Sequence, residues 1–174
     1  MGRNTLRNWA FIDGQKLKLD TTRAQPSWNI DLSRFRTYLD QKYNVSKAYY
    51  FIGAYEPKYQ TLYDALRKYG FIVMFREHTE NSLSKKKGNV DTDIVFEIMK
   101  DYIEENDFNK VILVSGDGDY WRMVDYLIKK NKFEKLLVPN RRMLSSLYRH
   151  RMADSNMTYL DNPETKNKII LKKK

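Results

Sequence analysis

Cysteine is absent from the chain, which excludes disulfide bonds, zinc–thiolate centres and thiol nucleophiles. Long apolar runs are missing too. No stretch reaches the roughly 20 residues needed to span a membrane, and the opening MGRNTLRNWAFIDG carries no secretory-type apolar segment. Histidine is scarce: His78 and His150 stand far apart in sequence, and no Ser-His-Asp arrangement shows as a local motif. No G-x-G-x-x-G follows the first apolar segment, which argues against a dinucleotide-binding domain. These absences lead to the expectation of a soluble, cytoplasmic protein with no thiol, zinc–sulfur or nicotinamide chemistry.

What is present suits one domain with its own core, because the chain has 174 residues and 41% of them are hydrophobic. Lysine and arginine number 32 against 22 aspartates and glutamates, a formal charge of +10. An excess of that size attracts polyanions, nucleic acid first. The terminal KNKIILKKK supplies five of the cations, and about +5 remains without it. The expected division is therefore a domain over 1–162 and a basic, flexible tail over 163–174.

Along the chain, strand-like and helix-like segments alternate. NWAFID (8–13) reads as a first strand followed by a polar loop, and the spacing of Leu32, Phe35, Leu39 and Tyr43 predicts a helix that Asp31 can cap. SKAYYFIGAY (46–55) and FIVMFREHT (71–79) read as strands, and the helix between them opens at Pro57 and closes at Gly70. VDTDIVFEIMKDYIEEN forms the next helix, KVILVSGD a fourth strand, YWRMVDYLIKKN a helix and KLLVP (135–139) a fifth strand. RRMLSSLYRHRMAD reads as helical and MTYLD as a last short strand. Such alternation implies an α/β, Rossmann-like three-layer fold around a mostly parallel sheet of about five to six strands. Functional groups then belong at the carboxyl ends of the strands, where strand order reverses.

Three stretches put aspartates at such places. Asp13 ends the first strand in AFIDGQ. Asp91 and Asp93 stand at a helix entry in KKKGNVDTD. Asp117 and Asp119 follow the fourth strand in VSGDGDY. Singly, each has a plain structural use: Asp13 in a turn beside Gly14, Asp91 or Asp93 as a helix cap, Asp119 as the cap of the helix from Tyr120. Converging, they would repel by roughly 4 kcal/mol per pair at 4 Å and an effective dielectric of 20. A cation removes that cost. All-oxygen ligands, with no histidine beside any of these aspartates, point to Mg²⁺ or Mn²⁺, ions that activate water and offset charge on a phosphoryl group.

FIDGQ, KGNVD and VSGDGDY, in this order, resemble the NYN domain, in the LabA-like branch of the PIN-like nuclease superfamily. The likeness runs from about residue 8 to 161 and includes the closing SSLYRHRMADSNMTYLD. It implies a PIN-type fold and a metal-dependent nuclease, RNA ahead of DNA as substrate. By position it implies Asp13, Asp91, Asp117 and Asp119 as catalytic metal ligands, Ser115 as their support and Glu97 as a second-tier ligand. Three departures stand out. Lys16 replaces the Asn of the D-G-x-N pattern, Tyr120 replaces the usual Phe, and KGNVD is one residue longer than K-G-x-D. Haloacid-dehalogenase-like phosphatases fit worse, because the first strand lacks a D-x-D pair and Trp121 stands where a late aspartate is needed.

Around the acids, Lys16, Lys85, Lys86, Lys87, Arg141 and Arg142 are the candidate phosphate contacts. The alternative reading is a nucleic-acid-binding or regulatory module of the same fold with little turnover, which Lys16 favours.

Overall fold

A computed structural model of the chain describes residues 6–76, 90–104 and 107–172. The sheet has six parallel strands in the order β3-β2-β1-β4-β5-β6. They are β1 (Asn8–Asp13), β2 (Val45–Ile52), β3 (Phe71–Phe75), β4 (Val111–Val114), β5 (Phe133–Val138) and β6 (Met157–Tyr159). The α-helices among the described residues are α1 (Gly14–Thr22), α2 (Leu32–Tyr43), α3 (Gln60–Lys68), α4 (Asp91–Ile103), α5 (Trp121–Lys129), α6 (Ser146–Arg151) and α7 (Pro163–Ile169).

The central strands are apolar on both sides because both sides are covered. Along β1, Trp9 and Phe11 face a core with Ile94 and Ile98 of α4, Met123 and Leu127 of α5 and Tyr148 of α6. Ala10 and Ile12 face the other core, with Leu17 of α1, Phe35 and Leu39 of α2, Leu66 of α3 and Ile169 of α7. The two-residue period of the strand thus feeds two separate cores from one segment. Successive strands proceed outward from β1 through β2 to β3, and the chain then crosses back to β4 on β1's other side. The carboxyl ends of β1 and β4 consequently flank the point where strand order reverses.

RRMLSSLYRHRMAD, expected to be helical, is a 3₁₀ turn over Arg141–Met143 followed by the short α6, and two further segments differ more from the sequence expectation. The polar loop expected after β1 is α1, which begins at once at Gly14 with Asp13 as its N-cap. Its periodicity is hidden because its buried face is Gly14, Leu17, Asp20 and Thr21, a single large apolar residue among them. An added Cβ at Gly14 would press on the Tyr50 ring and lie 2.6 Å from the Phe51 carbonyl oxygen, so only glycine lets β1 turn into α1 there. Elsewhere the expectation was closer: Asp31 caps α2 by accepting from Arg34 N at 3.0 Å.

The second difference is the C-terminal segment, expected to be a flexible tail from residue 163. Instead Asn162 caps α7, Pro163 occupies its first turn and Ile169 is fully buried. Arg34 of α2 donates to the Asn167 and Ile170 carbonyls, each at 3.1 Å, and Asp31 N donates to Ile169 O at 2.8 Å. The five terminal cations obscure what the two isoleucines do. Ile169→Ala is expected to lower stability by about 2–5 kcal/mol, read as a shift in the urea midpoint. A change within about 0.5 kcal/mol, typical of surface sites, would show that α7 only rests on the domain.

Candidate metal centre

At the carboxyl end of β4 the backbone leaves the sheet through Ser115 and Gly116 and turns into a 3₁₀ turn, Gly118–Tyr120. Ser115 is buried and its Oγ accepts from Asp117 N at 3.1 Å. Asp117 caps the turn, its Oδ1 accepting from Asp119 N at 3.1 Å. A Cβ at Gly118 would collide with Ser145 at the start of α6, so glycine between the two aspartates is what lets α6 close against them. Asp91 comes from the other side, at the first position of α4, where the helix dipole favours a negative charge. Val90 occupies the cap position and makes no side-chain cap bond, so neither Asp91 nor Asp93 serves as the cap.

The outcome is a group of three carboxylates. Asp91, Asp117 and Asp119 each present an oxygen within 4.8 Å of the others. Their burial is graded: Asp91 is buried, Asp117 intermediate and Asp119 exposed, so the cluster opens to solvent on one side. Three carboxylate oxygens at this spacing suit a hard divalent cation and offer nothing to a soft one. The cluster could therefore hold a divalent cation.

Asp13 is not part of this group, although the sequence placed it there. It lies beneath the cluster, 1% exposed, with both oxygens engaged. Oδ1 accepts from Lys16 N at 3.0 Å and Oδ2 lies 2.9 Å from the Tyr120 hydroxyl. The same hydroxyl lies 2.7 Å from Asp91 Oδ1, so Tyr120 stands between two carboxylates. Glu97, the second-tier ligand, is likewise not brought in, and pairs with Lys100 at 2.8 Å along α4. A tyrosine hydroxyl has one hydrogen to give. The second short contact is complete only when a carboxyl supplies another. Burial, reinforced by the Asp91 charge, pushes the Asp13 carboxyl up to about 6, against the opposing pull of its bonds from Lys16 and Tyr120. Burial also raises the Tyr120 hydroxyl, with the Asp13 and Asp91 charges acting the same way.

Lys16 reaches the site with its side chain as well. Its Nζ lies 3.0 Å from Asp117 Oδ2, and this bond raises the ammonium above its ordinary value. Together with Asp20, Asp117, Asp119, Met143 and Leu147 it lines a cleft of about 230 Å³. Arg141 and Arg142 precede Met143 on the same loop, but the Arg141 guanidinium stacks over Tyr159, 3.9 Å from the ring centre. Lys85, Lys86 and Lys87 lie outside the described residues, as does His78. His150 is exposed on α6.

Three participants went unnoticed in the sequence. Asp20 sits one helical turn beyond Lys16, an i, i+4 relation legible only once α1 is known to be a helix. Tyr120 looked like a mild substitution, and nothing local signals that its hydroxyl meets two acids. Tyr148 is fully buried and its hydroxyl has no hydrogen-bond partner among the described residues; burial raises it, and Asp117, Asp119 and Asp91 add to the shift.

Similarity to known proteins extends over most of the chain. A sequence model of the NYN domain matches residues 8–161. The low amplitude and bright protein LabA of Synechococcus elongatus is 30% identical over 129 residues, covering 69% of this chain and 67% of that protein. The crystal structure of a Vibrio parahaemolyticus protein of unknown function superimposes with a TM-score of 0.75 at 26% identity, covering 98% of this chain and 100% of that one.

The buried carboxyl makes a pH prediction. Asp13 titrates near 6 in the folded protein and near 3.8 when unfolded, so the folded state holds the extra proton between these values. Its contribution is complete below about pH 4 and fades as pH rises toward 6, a change on the order of 3 kcal/mol. Urea unfolding in EDTA should therefore show wild type losing ground to Asp13→Asn between pH 4 and pH 7. Asparagine keeps the helix cap, so a constant difference across that range would contradict the buried protonation.

Proposed function

Because the chain belongs to the NYN domain family, a nuclease-like family, we propose that it is a metal-dependent ribonuclease hydrolysing RNA phosphodiester bonds. The observation that carries this reading is the convergence of Asp91, Asp117 and Asp119 within 4.8 Å, at the sheet's reversal point. Asp91, Asp117 and Asp119 would hold Mg²⁺ or Mn²⁺, with Asp13 acting through Tyr120 rather than as a ligand. When bound, such an ion lowers the pKa of water and offsets charge on the phosphoryl oxygens.

The chain's own residues supply the remaining functions. Tyr120 fixes the direction of the Asp91 carboxylate from beneath, and the Ser115 and Asp117 bonds fix the turn that carries Asp117 and Asp119. Lys16 is the cation at the cleft and, with an ammonium of three donors, has hydrogens left for a phosphate after meeting Asp117. Met143 and Leu147 form an apolar edge of the cleft against which a sugar or base can lie. No histidine lines the cleft among the described residues, and no side-chain nucleophile is needed. The +10 charge draws the polyanion, and no described helix is long and apolar enough to cross a membrane.

A second reading has a specific observation in its favour. The Lys16–Asp117 ion pair ties up one of the ligand carboxylates, which suits a nucleic-acid-binding module with little turnover.

Labelled single-stranded RNA and DNA of one sequence, incubated with Mn²⁺, Mg²⁺ or EDTA, distinguish the two. Cleavage of the RNA that needs the cation and falls at least about 100-fold in Asp117→Asn is the expected result. Cleavage undiminished in that variant would overturn the assignment of the site. Binding without cleavage at any divalent concentration would establish the module instead.

A further inference from the structure

Asp117 has both carboxylate oxygens in use. Oδ1 accepts from Asp119 N at 3.1 Å, and Oδ2 lies 3.0 Å from Lys16 Nζ. The same carboxylate is one of the three that present oxygens within 4.8 Å of one another. A divalent ion on Asp91, Asp117 and Asp119 therefore meets an ammonium already seated on one of its ligands. The two cations repel more strongly than a pair of unit charges at the same separation.

Lys16 is held there by that carboxylate and not by its own helix. It stands in the first turn of α1, where the helix dipole disfavours a cation, and Asp117 gives it its one ion pair among the described residues. The Lys16 side chain is 40% exposed against 19% for Asp117, so the ammonium lies on the solvent side of the contact, on a stem flexible enough to turn. The backbone is anchored separately, with Lys16 N–H on Asp13 Oδ1 at 3.0 Å. Lys16 and Asp117 both line the cleft, so an ammonium that leaves the carboxylate stays within reach of whatever occupies that cleft.

We propose that the Lys16–Asp117 ion pair is an exchangeable contact that couples the cation site to the substrate: a divalent ion on Asp117 displaces the ammonium, and the displaced ammonium takes a phosphate of the strand. The inference rests on the reading of the three aspartates as a divalent-cation site and of the substrate as a nucleic acid. Without the ion, Asp117 and Lys16 neutralise each other, and the lysine charge is withheld from the strand. With the ion in place, the cleft offers the strand two positive groups instead of none. The linkage is reciprocal. A bound strand gives the ammonium another anion to hold, and so tightens the ion.

Two titrations of the 174-residue chain test this. The first uses Mn²⁺ alone, followed by electron paramagnetic resonance of the free ion. Lys16→Met is expected to bind it at least about tenfold more tightly than wild type. Lys18→Met, which removes the same charge from an exposed position on α1, is expected to stay within about twofold. The second uses a single-stranded RNA with phosphorothioate linkages, which keep their negative charge and resist cutting, followed by fluorescence anisotropy. Lys16→Met is expected to leave its affinity within about twofold in EDTA and to weaken it about tenfold in Mn²⁺. The helix cap uses the backbone of residue 16 and survives the substitution, and circular dichroism establishes that each variant is folded. Equal Mn²⁺ affinity in wild type and Lys16→Met would overturn the exchange while leaving the three-aspartate site intact. So would an equal loss of RNA affinity with and without the ion, which would make Lys16 a permanent phosphate contact, or no loss in either. Mn²⁺ bound by Lys16→Met but not by wild type would make Lys16 a block and overturn the exchange as well. No Mn²⁺ bound by either protein would overturn the cation site itself, and the inference with it.

Discussion

Carboxylates gathered at one end of a sheet repel one another, and how that repulsion is offset organises this site. Two of them 4 Å apart cost roughly 4 kcal/mol at an effective dielectric of 20, and Asp13, Asp20, Asp91, Asp117 and Asp119 all come to the carboxyl end of β1 and β4. The chain meets the cost without an ion in three different ways. Asp13 is buried deeply enough that its carboxyl is pushed up to about 6. Asp91 receives the Tyr120 hydroxyl at 2.7 Å and stands at a helix N-terminus. Asp117 receives the Lys16 ammonium and, on its other oxygen, a backbone N–H. Asp119 is the member of the three-acid group left to solvent, so the cluster opens on its side.

The sheet keeps these groups in place because its central strands cannot shift. β1 is buried at every position, with one core against each face, and a slip of one residue would exchange those faces. Asp13 therefore has one available position, and Gly14 lets the chain turn away from it immediately. On the β4 side the corresponding device is Gly118, whose missing side chain leaves room for Ser145 and the start of α6. Rigid strand ends and two tight turns are what turn a scatter of acids in sequence into a cluster.

Much of this arrangement is legible in the residues. The alternation of elements gives the parallel sheet, the helical spacing after Asp31 gives α2 and its cap, and VSGDGDY announces the paired aspartates. The rest is hidden for physical reasons. GQKLKLDTT looks like a loop because α1 buries an aspartate and a threonine where an ordinary amphipathic helix would bury leucines. KNKIILKKK looks like a solvated tail because its charge masks Ile169, whose burial depends on Arg34 taking up the carbonyls of α7. Asp13 looks like a ligand because its position in the motif says nothing of which groups will reach it first.

Lys16 and Tyr120, two of the three departures from the family pattern, act on one chain of contacts. Lys16 meets Asp13 through its backbone and Asp117 through its ammonium. Tyr120 meets Asp13 and Asp91 through a single hydroxyl. Asp91 and Asp117, which approach from opposite sides of the site, are thereby both tied to Asp13 before any ion arrives. A carboxylate outside the three-acid group can in this way set the direction of two within it. Preorganisation of this kind lowers the cost of assembling a charged site.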